Sequence, residues 1–146
     1  MLRGEYSHNI DTKGRLIIPA KFREDLGENF FITKGMEKCL YVYPEKEWNI
    51  FEDKLNKLPT TTDKKARDLA HFFQGSAVEG ELDKQGRTLI PSTLREFAYL
   101  EKEVVFIGMG KRAEIWDKAR WDAKNAELEE NIEDIASDME AGGFSI

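Results

Sequence analysis

The chain carries one sequence motif twice, 72 residues apart. Residues 10–23 return as residues 82–95, with Asp, Gly, Arg, Ile, Pro and a final Arg in the same register. The correspondence continues further along the two copies, where Tyr43 matches Trp116 at an offset of 73 residues. An internal duplication of this length indicates two copies of one supersecondary unit, related by a pseudo-twofold axis.

The two copies are too short to be independent domains. The chain has 146 residues, enough for one ordinary domain or two very small ones. Each copy spans roughly 45 residues, too few to bury a stable core alone. We therefore expect both copies to share one core, to which Cys39, the single cysteine, contributes as a buried residue without a disulfide partner.

The composition indicates a globular protein outside the membrane. Hydrophobic residues make up 40% of the chain and charged residues 34%, which is ordinary for a globular domain. No apolar run approaches the roughly 18–20 residues of a membrane span, and the N-terminus lacks a hydrophobic stretch of signal-peptide length. We therefore expect a cytoplasmic protein.

The charge is distributed unevenly along the chain. The net charge is −6, and residues 124–146 alone contain one lysine and seven acidic residues. Residues 1–23 contain five basic and two acidic residues. This asymmetry is compatible with a basic working face and an acidic region directed elsewhere.

Each copy shows the same pattern of short strands, glycine turns and one short helix. The pattern of the first copy predicts one short helix over residues 20–26, which begins after Pro19 and ends at Gly27. It also predicts four strands, over residues 5–11, 16–18, 30–33 and 40–43. The second copy repeats this order. The predicted fold class is α+β, with two ββαββ units forming a small interlocked β-barrel with flanking helices.

Three further segments are predicted to be helical. Pro44 opens one helix, which Pro59 ends, and Asp63 begins a second that closes at Gly75. A long acidic helix follows Asp117, with apolar residues at heptad spacing, and residues 142–146 fray at its end. This helix either pairs with a partner subunit or lies on the barrel with its acids in water; we favour the second.

The repeated turn has both a structural and a functional interpretation. Asp11 can accept backbone N–H groups in an Asx-turn, and Gly14 permits a positive φ angle. Arg15 can turn back to pair with Asp11 or project outward as a planar fork. A well-made turn with a local ion pair is the structural interpretation, and duplication alone does not decide between the two.

The basic residues around the first turn favour nucleic acid as the ligand. Lys and Arg at the tip of a projecting loop can dock on phosphates, and an arginine fork can bind guanine O6 and N7 together. Gln85, in the second copy, can bind adenine edges or phosphates. We interpret Lys21 and Arg23 as a solvated helix face, and Arg95 likewise, because Glu96 is its neighbour.

Enzymatic interpretations find little support in the sequence. Asp11 and Asp83 faintly resemble a shared carboxylate dyad, but an arginine four residues after each would hold it ionised, the wrong state for the acid member. His8 and His71 are the only histidines, and no phosphate-binding glycine loop or metal constellation is present. We therefore predict a non-enzymatic protein with no metal and no cofactor.

Taken together, the repeated motif and the segments that follow each copy resemble those of the MraZ family of bacterial transcriptional regulators. The specific marks are the doubled Asp-x-x-x-Arg motif, the runs 14–23 and 39–44 with Trp48, and Ile115 to Asp117 with Trp121. The resemblance covers essentially the full length. It implies two SpoVT-AbrB-like units in a double-psi-type barrel. The predicted divisions are residues 5–47 and 77–120 for the units, 48–76 for a helical connection, and 121–146 for the acidic helix and tail.

The resemblance also implies a function and its residues. Members form ring-shaped homo-oligomers, often octameric, that bind direct repeats in the promoter of the division and cell-wall gene cluster, including their own gene. This implies double-stranded DNA as partner, a nucleoid-associated location and no small-molecule substrate. Asp11 and Asp83 would orient their arginines. The candidate DNA-binding residues are Arg3, Lys13, Gly14, Arg15, Gln85, Gly86 and Arg87.

Two departures of the second copy leave alternatives open. Gln85 replaces Lys13, and Thr88 replaces Leu16, so the first turn is the better candidate for DNA contact. AbrB-like barrels also serve as antitoxins, and a module that binds a protein partner is therefore the alternative function.

Overall fold

The computed structural model describes residues 1–146 and contains eight strands and five helices. The strands are β1 (Leu2–Asn9), β2 (Arg15–Ile17), β3 (Phe30–Lys34), β4 (Leu40–Pro44), β5 (Val78–Gly80), β6 (Arg87–Leu89), β7 (Glu103–Gly110) and β8 (Ala113–Asp117). The helices are α1 (Ala20–Leu26), α2 (Glu45–Asn56), α3 (Lys64–Phe73), α4 (Ser92–Phe97) and α5 (Lys118–Ala141).

The α+β class is confirmed, and each half of the chain has the element order ββαββ. Helix α1 follows Pro19 and is capped by Gly27, whose φ of 73° glycine adopts easily. Helix α3 begins after Asp63, whose carboxylate accepts the N–H groups of Lys65 and Ala66. Strand β1 begins at Leu2, earlier than the pattern predicts, because it pairs with β7 along its whole length.

Strand pairing shows that the two halves exchange strands. The six-stranded sheet has the order β1-β7-β8-β4-β3-β5. Strand β1 of the first half pairs with β7 of the second, and β5 of the second half pairs with β3 of the first. When each strand is replaced by its equivalent in the other half, the same order is obtained read from the opposite edge of the sheet. This supports the pseudo-twofold relation that the duplication predicts.

A second, two-stranded sheet lies on the same pseudo-twofold axis. Strands β2 and β6 run antiparallel, with Leu16 opposite Thr88 and Arg15 opposite Leu89. Leu16 and Thr88 are equivalent in the two copies, so the axis passes between them. Both side chains are buried. The double-psi-type closure of the two sheets stays a prediction.

Both halves contribute to one core. Eighteen buried residues form a single hydrophobic cluster that draws on both copies. At its centre, the rings of Phe22 and Phe106 meet edge to face with centroids 6.3 Å apart, an arrangement that aromatic rings favour. The expectation that neither copy folds around a core of its own agrees with this packing.

A second, largely aromatic cluster covers the outer face of the large sheet. It joins Tyr43 and Trp48 to Trp116 and Trp121, with α2, α3 and the start of α5 around it. Cys39 is fully buried in this cluster, and burial raises the pKa of its thiol. Cys39 is therefore a packing residue, as expected.

Helix α5 departs from the favoured prediction. Of its residues only Trp121 is buried, and the apolar side chains of Ile132, Ile135 and Met139 are 46%, 44% and 53% exposed. The expectation that the helix lies on the barrel is therefore wrong beyond its first turns. A helix of 24 residues is about 36 Å long, and it extends past the aromatic cluster that its first turns cover.

No helix of the protein combines the length and the apolar composition that crossing a bilayer requires.

We expect Phe106→Ala to lower the free energy of unfolding by about 3–5 kcal/mol, because the fully buried ring leaves a cavity in the shared core. Chemical denaturation followed by tryptophan fluorescence measures the change. Phe144→Ala is the matched control, since that ring is 56% exposed, and its free energy of unfolding stays within about 0.5 kcal/mol of the parent value. Equal losses in the two variants would contradict the shared core.

Candidate nucleic-acid interface

The turn between β1 and β2, residues 11–15, is organised by one carboxylate, and we name it the first loop. Asp11 Oδ1 accepts the backbone N–H groups of Lys13 and Arg15, both at 2.9 Å. Asp11 Oδ2 accepts Nε–H of Arg15 at 2.7 Å. Gly14 has a φ of +83°, and its N–H donates to the carbonyl of Asp11 at 3.0 Å. The loop is thus held by its own aspartate.

The turn between β5 and β6, residues 83–87, repeats this geometry, and we name it the second loop. Asp83 Oδ1 accepts the N–H groups of Gln85 and Arg87 at 2.9 Å, and Asp83 Oδ2 accepts Nε–H of Arg87 at 2.8 Å. Gly86 has a φ of +76°. Each carboxylate thus binds Nε–H of the arginine of its own loop.

The two loops meet across the β2–β6 pair. Nη1 of Arg87 lies 3.8 Å from Oδ2 of Asp11, so the carboxylate of the first loop also faces the arginine of the second. The side chains of Arg15 and Arg87 remain 33% and 24% exposed. The structure thus joins the repeated motifs, far apart in sequence, into one surface patch with two oriented guanidinium groups.

Hydrogen bonding stabilises the charged form of both aspartates. The backbone N–H of Arg15 is the largest cause that lowers the pKa of Asp11, and the side chain of Arg15 and the N–H of Lys13 act in the same direction against partial burial. The pKa of Asp83 is lowered in the same way, first by the backbone N–H of Arg87. At neutral pH both carboxylates are ionised and pair with their arginines.

The loop tips and the glycines have different environments. Lys13, Lys84 and Gln85 are exposed at the tips, where a ligand can reach them. Gly14 and Gly86, both among the predicted DNA-binding residues, are buried beneath the tips. Any contact they make with a ligand would therefore be through the backbone of the turn.

Arg3 lies apart from the other candidates. It is exposed near the start of β1, opposite Met109 of β7, whereas the first loop follows the end of that strand. The six residue-to-residue steps from Arg3 to Asn9 span about 20 Å at ~3.3 Å per residue. The structure therefore does not bring Arg3 together with Arg15 and Arg87.

The flanking residues make the two loops electrostatically unequal. Exposed Ser7 and Asn9 precede the first loop, whereas exposed Glu79 and Glu81 precede the second. On the strand that enters the second loop a polyanion would meet carboxylates, where the strand that enters the first loop has neutral side chains at the equivalent positions. This difference adds to the replacement of Lys13 by Gln85.

Two arginines that were predicted to lie on solvated helix faces belong to this site. Arg23 and Arg95 are half-buried, and their Nε–H groups donate to the carbonyls of Ile18 at 2.8 Å and Ile90 at 2.9 Å. The solvated-face interpretation is therefore wrong for both, and Arg95 does not pair with its neighbour Glu96. Their recurrence in register at the end of the repeated motif was the sequence feature that could have assigned both arginines to this site.

No group of His, Cys, Asp and Glu side chains in the protein is arranged to hold a metal ion.

Comparison with known proteins gives a family and close relatives. The family model described as "MraZ protein, putative antitoxin-like" matches residues 1–71 and again residues 73–141. Three similar curated proteins are each named "Transcriptional regulator MraZ". The protein from Ligilactobacillus salivarius (strain UCC118) is 54% identical over 139 residues, covering 95% of this chain and 96% of its own.

The other two relatives are equally well covered. The protein from Desulforamulus reducens (strain ATCC BAA-1160 / DSM 100696 / MI-1) is 51% identical over 139 residues, covering 95% of this chain and 97% of its own. The protein from Halothermothrix orenii (strain H 168 / OCM 544 / DSM 9562) is 53% identical over 144 residues, covering 99% of this chain and 100% of its own. Both similarities extend through the two repeats.

We expect Asp11→Asn to lower the melting temperature at pH 7 by a small amount, because asparagine cannot supply the charge that Arg15 faces and a half-exposed ion pair contributes little to global stability. The pKa of Asp11 lies below its ordinary value of 3.8. The contribution of the carboxylate is therefore complete above pH 3.8 and is lost as the pH falls through the lower pKa of the folded state. Melting curves measured from pH 7 downward should show that the difference in melting temperature between variant and parent persists to pH 3.8 and disappears only below it. A difference that closes between pH 7 and 5 would contradict this assignment.

Proposed function

The chain belongs to the MraZ family, and on that basis we propose that it is a sequence-specific DNA-binding transcriptional regulator. Its binding surface would be the patch formed by the first and second loops. The target would be short direct repeats in the promoter of the division and cell-wall gene cluster, including the protein's own gene. The role is non-enzymatic, and it requires no cofactor and no small-molecule substrate.

The observation that carries this proposal is the pair of oriented guanidinium groups on the β2–β6 pair. Each aspartate binds Nε of its arginine and so fixes the plane of the guanidinium. Guanine presents O6 and N7 in the major groove, and a planar arginine fork matches both acceptors. Because the arginines are already oriented, less side-chain entropy is lost on binding DNA.

The first loop is the principal contact in this proposal. Lys13 stands beside Arg15 as an additional cation for phosphate, whereas the equivalent position in the second loop is the neutral Gln85. Glu79 and Glu81 further weaken the attraction of the second loop for a polyanion. Arg87 would therefore make the secondary contact.

Repetition of the patch in an oligomer would supply the affinity that one chain lacks. The two loops of one subunit offer few cations, and each phosphate contact contributes modestly. A ring-shaped homo-oligomer, octameric in the arrangement we propose, would engage successive direct repeats and gain affinity through effective concentration. Such a protein would work in the cytoplasm, associated with the nucleoid, and its two sheets would close as a double-psi-type barrel.

The net charge of −6 is compatible with this role. Most of the excess of acidic over basic residues lies on α5, which has eight acidic and three basic residues, whereas the loops present Lys13, Arg15, Lys84 and Arg87. Exposed charges farther apart than about 8–10 Å are largely screened at physiological salt. Acidic residues farther than this from the loops would have little effect on a phosphate bound there.

One observation favours a second candidate, a module that binds a protein partner. Ile132, Ile135 and Met139 form a half-exposed apolar stripe on α5, and such stripes can mark interaction surfaces. The matched family model also carries the words "antitoxin-like" in its description. Binding through this stripe would vary little with salt, whereas binding of phosphates through the loops would weaken steeply.

We expect Arg15→Ala to weaken binding to DNA from upstream of the protein's own gene by about 1–3 kcal/mol, the usual value of one bidentate base contact. Arg87→Ala should weaken it less. A gel-shift titration with excess nonspecific competitor, at two salt concentrations, measures both losses. Lys57→Ala is the control, because it removes an exposed cation at the end of α2, far along the chain from both loops.

The result is interpretable only while the variants stay folded. Melting temperatures of all three variants, measured in the same buffer, establish this. A folded Arg15→Ala variant that binds the promoter DNA as the parent does would overturn the assignment of the first loop. Absence of any shift with the folded parent protein would transfer support to the protein-interaction module.

A further inference from the structure

Arg23 and Arg95 are equivalent residues whose side chains reach from one unit to the other. Arg23 belongs to α1 of the first unit, and its guanidinium lies against Gly86 of the second loop. Arg95 belongs to α4 of the second unit, and its guanidinium lies against Gly14 of the first loop. Each arginine thus contacts the loop that belongs to the other unit.

The contacts at the two glycines are close. A Cβ atom placed on Gly14 would lie only 3.0 Å from Cζ of Arg95 and 3.1 Å from one of its terminal nitrogens. The approach of Arg23 to Gly86 is closer still. Both glycines also need positive φ angles. The space that a side chain would occupy at either turn is therefore filled by a guanidinium from the other unit.

Hydrogen bonds complete the connection on the Arg23 side. The N–H of Ile18 donates to the carbonyl of Gly86 at 3.0 Å, and the carbonyl of Ile18 accepts Nε–H of Arg23 at 2.8 Å. Gly86 is thus held by the backbone of Ile18 and covered by the guanidinium that binds the same residue. Displacing the side chain would remove one of the two contacts through which the first unit holds this turn, which Asp83 also holds from within its own loop.

The Arg95 side repeats this arrangement. The N–H of Ile90 donates to the carbonyl of Gly14 at 2.9 Å, and the carbonyl of Ile90 accepts Nε–H of Arg95 at 2.9 Å. Neither Arg95 nor Arg23 forms an ion pair within the protein. Their charge is therefore not used in pairing, and what they supply inside the protein is a flat group and a hydrogen bond.

We propose that Arg23 and Arg95 are positioning residues that act crosswise: Arg23 holds the second loop and Arg95 holds the first loop in the conformation that orients its DNA-binding arginine. The consequence for DNA rests on the proposed function. The support of the loops does not, because it is a property of the protein without DNA and can be measured there.

Amide hydrogen exchange of the free protein, followed by mass spectrometry, tests the crossed support. In Arg23→Ala we expect the amides of residues 85–87 to exchange about tenfold faster, the effect of losing one charge-assisted hydrogen bond, while residues 13–15 keep the parent rate. Arg95→Ala should give the reverse pattern. Lys21→Ala is the matched control, since it removes an exposed cation from α1 without a contact to Gly86, and neither loop should change.

Several outcomes would overturn the proposal. They are faster exchange only in the loop of the substituted residue's own unit, equal acceleration of both loops, and no change in either loop. Arg23→Lys covers the case in which Arg23→Ala fails to fold. Lysine keeps the positive charge but has neither the planar group nor Nε, so residues 85–87 should still exchange faster. A parent-like rate in Arg23→Lys would show that charge alone suffices and would overturn the positioning role.

Gel-shift titrations of the same variants separate positioning from direct contact with DNA. If the first loop is the principal contact, Arg95→Ala should weaken binding more than Arg23→Ala, with an unchanged salt dependence. A fall of about 0.9 in the slope of log K against log salt would mean a lost phosphate contact and would overturn a purely positioning role. Crossed exchange with unaltered DNA binding would keep the loop support and overturn its consequence for DNA, whereas crossed exchange in a protein whose parent form binds no promoter DNA would reject the proposed function alone.

Discussion

The pairing of β2 with β6 joins the two halves of the chain at their pseudo-twofold axis. Each strand has only three residues, and neither could persist as an isolated ribbon. Their pairing brings Leu16 against Thr88 on the pseudo-twofold axis and sets the two loops side by side. The exchange of β1 and β5 between the halves then closes one core, because each half completes the sheet of the other.

The Asp–Arg pair within each loop joins structure to proposed function. The same carboxylate that shapes the turn also directs the guanidinium, so the structural and functional interpretations of the motif are compatible. Such a loop is organised before any ligand arrives, which limits the entropy lost on binding. A half-exposed ion pair of this kind contributes little to global stability, and its main effect is therefore local orientation.

Several features were predictable because they depend on short stretches of chain. Helix α1 after Pro19 and the positive φ of Gly14 follow from local backbone preferences. The aspartate that holds its own turn is equally local. The roles of Arg23 and Arg95 were not predictable in this way, because their partners, Gly86 and Gly14, lie in the other unit. The extension of α5 past the aromatic cluster also depends on where that cluster ends.

The repeated motif alone establishes that two like units occur and which residues form their turns, because turn chemistry acts over a few residues. The exchange of strands, the shared patch of Arg15 and Arg87 and the separate position of Arg3 become visible only in the folded chain. The physical reason is that contacts between distant residues depend on how the sheets pair and pack. In a duplicated chain, each segment has two equivalent candidates for its partner, and burial of one common core selects between them.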